Sequence, residues 1–135
     1  MEEVVPGIVV TAVYVDEVEK LIPHLGSEIQ AVSGPCFEAV AHSAILAKRS
    51  FERGTNRAKT PGGELLIRLA GSPQIKEAIK KVGLTKGVNY LVFFGSKGEL
   101  KEILEKLGLK EAPMQNCDPE RAKKYFEISA LVEAL

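Results

Sequence analysis

The chain has 135 residues, 45% of them hydrophobic and 27% charged. That suits one domain with a moderate core and excludes a disordered chain. Lys plus Arg equals Asp plus Glu at 18 each, which excludes a protein that coats nucleic acid by bulk charge but not one with a local basic patch.

No apolar run is long enough to span a bilayer, and Met1-Glu2-Glu3 opens acidic where a secretory signal would be basic. The expected location is cytoplasmic. Ile8 to Val15 (IVVTAVYV) is apolar and β-branched, the pattern of a strand with little exposed surface. Asp16 is placed to cap a short helix ending before Pro23. Glu28 to Val32 predicts a second strand, stopped by Gly34-Pro35. Phe37, Val40, Ala41, Ala44, Lys48 and Phe51 recur at helical spacing, predicting a helix from Pro35 to Arg53 that stops at Gly54.

Glu64 to Ala70 is apolar nearly all round, as in a core helix, with Glu64 and Arg68 as an i,i+4 pair. Ser72 and Pro73 have the chemistry of a helix start, and Ile75, Ala78, Ile79 and Val82 form the expected buried stripe. Asn89 to Phe94 predicts a strand. Gly95-Ser96-Lys97-Gly98 leads into a helix with Leu100, Ile103, Leu104 and Leu107 on one face. Ala112 to Gln115 reads as a short strand or extended segment, and Asp118-Pro119 starts the last helix. With no repeat or linker, residues 1–135 read as a single α+β domain, a small mixed β-sheet with helices packed on it.

Catalytic chemistry finds little support. The strand–GSKG–helix turn could cradle a phosphate, because helix-start N–H groups favour anions, but it lacks P-loop spacing. Cys36 and His42 lie on one helix with no third orienting group. His24, His42, Cys36 and Cys117 lack metal-ligand spacing, and Asp16, Glu17 and Glu19 read as a solvated acidic face. Cys36 and Cys117 are expected to be buried free thiols. A single bridge is the alternative for a hyperthermophile's chain, a source at which the Lys/Glu-rich helices hint.

Two surfaces remain. In the first, Asn56, Arg57 and Lys59 in a basic loop, with Arg68, Gln74 and Lys76 on the following helices, could converge on phosphates and unpaired bases; a merely solvated basic loop is the bland alternative. In the second, Tyr125, Phe126, Ile128, Leu131, Val132 and Leu135 cover more than half the circumference of the last helix. Either one set faces outward as a protein contact, or the helix lies in a groove that covers both.

The stretch ELLIRLAGSPQIKEAIKKVGL, Glu64 to Leu84, resembles the core signature of the TPRKB family, the small kinase-binding subunit of the KEOPS complex. GTNRAK before it and DPERAKKYFEIS near the end are similar to that family's loop and final helix, so the likeness runs through most of the chain. Pro73 departs from the pattern, standing where a basic residue is expected. The resemblance implies a non-catalytic subunit without cofactor, metal site, membrane contact or small-molecule substrate. It implies binding to the atypical kinase/ATPase of KEOPS, stimulation of tRNA threonylcarbamoyladenosine formation, and recruitment of tRNA by its 3′ CCA tail. The expected kinase contacts are Ile128, Leu131, Val132 and Leu135; the expected RNA contacts are Asn56, Arg57, Lys59, Arg68, Gln74 and Lys76. The alternatives are a small nucleotide-binding enzyme using Gly95 to Gly98, and a protein-interaction module that touches no RNA.

Overall fold

The run IVVTAVYV alternates its side chains between two sides of a sheet, and helices cover both. The computed structural model describes residues 1–26 and 28–134. In chain order these form β1 (Glu2–Val5), β2 (Ile8–Val15), α1 (Val18–Leu21) with a 3-10 turn over Ile22–His24, β3 (Ile29–Val32) and α2 (Phe37–Arg53). Then come α3 (Pro61–Ala70), α4 (Ile75–Val82), β4 (Gly87–Phe93), α5 (Lys97–Leu107), β5 (Glu111–Ala112) and α6 (Pro119–Leu131), which closes in a 3-10 turn over Val132–Ala134. The strand order is β1-β2-β4-β3, with β5 also pairing β2. All the described pairings are antiparallel, β2 meeting β4 from Val9↔Phe93 to Val15↔Gly87. The domain is of the α+β class.

Ile8, Val10 and Ala12 of β2, with Tyr90 and Val92 of β4, pack against Val40, Ala44, Leu65 and Leu69 of α2 and α3. Val9, Val13 and Val15, with Leu91 and Phe93, pack against Leu21, Leu100 and Leu104 on the opposite side. Only Tyr14 of β2 is exposed. Each valine so buried contributes roughly 1.5–3 kcal/mol relative to exposure, which makes the two-sided covering of β2 and β4 the main apolar stabilisation.

Several local expectations change. The first short helix begins after Glu17, with no side-chain cap from Asp16. α3 starts earlier than expected: Gly63 N donates to the Thr60 hydroxyl at 3.1 Å, and Pro61 takes the first helical position. Gly62 and Gly63 are poor helix formers and hid that start. Ser72 does not cap α4, which begins at Ile75 after Gln74. Of the stripe expected to be buried on α4, Ala78 is buried, while Ile75 and Ile79 are 39% and 52% exposed.

Cys36 and Cys117 form a disulfide, with Cα atoms 5.0 Å apart, which overturns the expectation of free thiols. The bridge has support around it. Phe37 N donates to the Gln115 carbonyl at 2.6 Å and Cys117 N to the Glu38 carboxylate at 2.7 Å. The Tyr90 hydroxyl donates to the Gln115 carbonyl and accepts from Gln115 N, both at 3.1 Å. Burial lifts the Tyr90 phenol above its ordinary value, opposed by the Gln115 hydrogen bond and reinforced by Glu38. Residues 115–117 are thereby laced to the start of α2, and this sets where α6 begins. Arg121 N donates to the Asp118 cap at 2.9 Å and Pro119 follows, as the sequence predicts.

α6 then lies across α2 and α3. The hydroxyls of Ser43 and Ser129 hydrogen-bond at 2.9 Å, and the rings of His42 and Phe126 meet with centroids 4.5 Å apart. At the end of α3, Gly71 sits at φ +68° and directly under Ile128, so a side chain there would be strained by its backbone and would strike Ile128. The glycine allows the two helices to approach.

Candidate functional site

The basic loop is held from beneath by one buried carboxylate. Glu64 Oε1 accepts hydrogen bonds from the backbone N–H groups of Arg57 and Ala58, each at 2.8 Å. Its Oε2 accepts from Arg68 Nε at 3.0 Å. Both Glu64 and Arg68 are fully buried. Arg68 Nη2 donates onward to the Glu133 carboxylate at 2.9 Å. Arg57 closes the circuit, its Nε donating to the Val132 carbonyl at 3.1 Å and its Nη2 to the Glu133 carbonyl at 3.4 Å. A guanidinium at the carbonyl end of a helix is favourably placed against the helix dipole. The loop and the end of α6, which the sequence presents as separate surfaces, are thus joined by one network.

Above it lies a mostly apolar cleft of about 380 Å³. Arg57, Ala58 and Lys59 border it from the loop, Thr60 from the cap of α3, Gly63 and Ile67 from α3, Pro73 from the α3–α4 connection and Ile75 from the start of α4. The expected RNA contacts divide accordingly. Arg57 and Lys59 line the cleft. Asn56 is exposed, and its Nδ2 donates within the loop to the Ala58 carbonyl at 2.9 Å. Gln74 and Lys76 are exposed on either side of Ile75. Arg68 has no surface and its charge faces two carboxylates, so the structure gives it a supporting place beneath the loop rather than one at a ligand. Sequence reasoning missed the apolar lining. In sequence Ile75 fits a core stripe and Pro73 a helix start, and only the folded-back loop makes them walls of a cleft.

The expected kinase contacts also divide. Leu131 is 63% exposed. Ile128 is half-buried against Gly71. Val132 has no exposed surface and belongs to the core cluster, so it cannot meet a partner while the domain stays closed. Leu135 lies outside the described residues. In sequence these four belong to one apolar surface of the last helix; in the fold Val132, in the 3-10 turn after Leu131, lies on the same inward side as the buried Ser129, while Leu131 faces outward.

Burial, then the charge of Arg49, hold the His42 imidazole below its ordinary value of 6.5, and a backbone hydrogen bond at Phe126 pulls the other way. His42 Nε2 is buried without a partner. The neutral ring is therefore the form favoured by the fold. Its contribution to stability is intact above pH 6.5 and declines as pH falls through the lowered folded value. The thermal midpoint is expected to be lower at about pH 5 than at about pH 7.5, with part of that drop abolished in His42→Gln. An undiminished drop in the variant, followed by circular dichroism, would contradict this assignment.

The Gly95-Ser96-Lys97-Gly98 turn is engaged internally. Glu99 N donates to the Ser96 hydroxyl at 3.2 Å and Ser96 N to the Glu99 carboxylate at 3.2 Å, a reciprocal capping box. A carboxylate of the chain's own already stands at that helix start. Cys36 is committed to its disulfide. Among the described residues there is no group of three or more His, Cys, Asp and Glu that could hold a metal ion, and no helix long and apolar enough to cross a membrane.

A scan against protein-family models finds no match. A curated protein of Pyrococcus abyssi (strain GE5 / Orsay), KEOPS complex subunit Cgi121, is 42% identical over 123 residues, an alignment spanning 89% of this chain and 72% of that protein. Identity at that level over that much of both chains settles what the signature at Glu64 to Leu84 pointed to: the chain belongs to the Cgi121/TPRKB family.

Proposed function

We propose that the chain is a non-catalytic accessory subunit of an archaeal-type KEOPS complex in the cytoplasm. It docks on the complex's atypical kinase/ATPase through α6 and receives the single-stranded 3′ CCA tail of tRNA at the cleft, thereby stimulating threonylcarbamoyladenosine formation. The similarity to a KEOPS complex subunit supports the assembly. The observation that carries the RNA half is the cleft itself, with cations from Arg57 and Lys59 beside the apolar surface of Pro73 and Ile75. Phosphates take the charges and unpaired bases lie on the aliphatic surface, which needs no sequence-wide positive charge. Lys59 and Arg57 with Gln74 and Lys76 form the contact set, and Asn56 holds the loop's shape. Leu131 centres the kinase contact with Ile128 at its edge.

The test is co-purification of the tagged chain with its cellular partners, probed for both kinase and tRNA. Leu131→Glu is expected to lose the kinase with the fold unchanged, because Leu131 is already mostly in solvent. Lys59→Glu is expected to lose most of the tRNA while keeping the kinase. Full retention of the kinase by Leu131→Glu would move the interface elsewhere, and a chain that never brings down tRNA would leave a pure protein-interaction module.

A further inference from the structure

The terminal turn contributes nothing to the lining of the cleft, yet it determines how the cleft's rim is held. Arg57 stands at the rim because the Val132 and Glu133 carbonyls orient its guanidinium. The loop backbone stays in place because Glu64 binds two of its N–H groups, and Glu64 is itself oriented by Arg68. Arg68 spans Glu64 and Glu133, and its third nitrogen, Nη1, is buried with no hydrogen-bond partner. The buried guanidinium therefore relies on those two carboxylates, one beneath the loop and one on the terminal turn. Leu131, the most exposed large apolar residue of α6, directly precedes that turn.

We propose that the turn over Val132–Ala134 is a positioning element for the cleft, with Glu133 as the key residue, and that a partner ordering the Leu131 end of α6 tightens the cleft's hold on single-stranded RNA. The identity of the two ligands rests on the function proposed above; the latch between the two surfaces does not. A partner that restrains the turn removes part of the ordering cost that RNA would otherwise meet at the loop, so the two bind with positive coupling. Reciprocity requires that the RNA raise the partner's affinity by the same factor. Glu133 is half-exposed in its side chain, so Glu133→Gln keeps the packing of Val132 and removes chiefly the charge that Arg68 reads.

Two measurements on the full chain test this. The first needs no ligand: amide hydrogen exchange at Arg57 and Ala58, with Val92 in the core as the control. Exchange at the two loop amides is expected to quicken by about tenfold in Glu133→Gln with Val92 unchanged, since local opening is separable from global unfolding. Unchanged loop exchange, or equal quickening at Val92, would overturn the latch.

The second compares the affinity of an oligonucleotide ending in CCA for the chain alone and for the chain saturated with the KEOPS kinase, the kinase alone being the blank. The wild type is expected to gain about tenfold with the kinase, within the usual range of coupling between sites, and Glu133→Gln to gain little. Equal gains in both proteins, or none in the wild type, would overturn the coupling while leaving RNA binding itself intact. No RNA binding under any condition would instead remove the proposed function, and the coupling with it, leaving the exchange result to decide the latch.

Discussion

Glu64→Leu is expected to cost about 3–5 kcal/mol of stability, the cost of stranding a buried charge by deleting its partner. Glu64 is fully buried and meets three donors: Arg57 N, Ala58 N and Arg68 Nε. Without it, Arg68 stays buried with only the half-exposed Glu133 for neutralisation. For a domain whose total stability is roughly 5–15 kcal/mol, the thermal midpoint should fall by about 10–20 °C. Adding Arg68→Met should recover a large part of the loss, because the pair then leaves no uncompensated charge. Chemical denaturation of the single and double variants checks both statements. A Glu64→Leu protein within about 1 kcal/mol of wild type would mean that the network is ornamental to the fold.

Removing the Cys36–Cys117 bridge should be nearly as costly. It spans a sequence separation of 81 residues, and on the loop-closure account a bridge of that span stabilises by about 4.5 kcal/mol, chiefly through the unfolded chain. The hydrogen bonds of Gln115 and Glu38 across the same junction do not involve the sulfur atoms. The Cys36→Ala/Cys117→Ala protein should therefore keep native helix content while its urea midpoint falls, and a reductant should move the wild type to the same midpoint. A midpoint indifferent to reductant would contradict this.

These two features show what the sequence does and does not display. The Glu64–Arg68 pair is visible as an i,i+4 spacing. Spacing does not reveal that both groups are buried, or that Arg68 reaches Glu133 in a distant segment. Strands β2 and β4 and the stop at Gly54 follow from local patterns, because β-branched runs and a left-handed glycine act within a few residues. Ile75 and Ile79 show the limit of such patterns, since an apolar stripe is the same in sequence whether a core or an open surface lies against it. The disulfide, in sequence only the alternative to free thiols, is undecided there for a related reason. Cys36 and Cys117 are 81 residues apart, and what sets them side by side is the packing of residues 115–117 against β4 and the start of α2. For the candidate site, the basic residues of the loop were legible and the cleft was not, because a concave surface is made by how α3, α4 and the loop pack.

The most direct test of the account is a binding titration of tRNA against the reconstituted complex, with and without the 3′ CCA end, at two salt concentrations. Single-stranded tail recognition by Lys59 and the Ile75 cleft predicts that the intact tRNA binds at least about tenfold tighter. Binding should also weaken as salt rises, through release of counterions from the phosphates. Equal affinity for intact and shortened tRNA would contradict the assignment of the cleft to the tail.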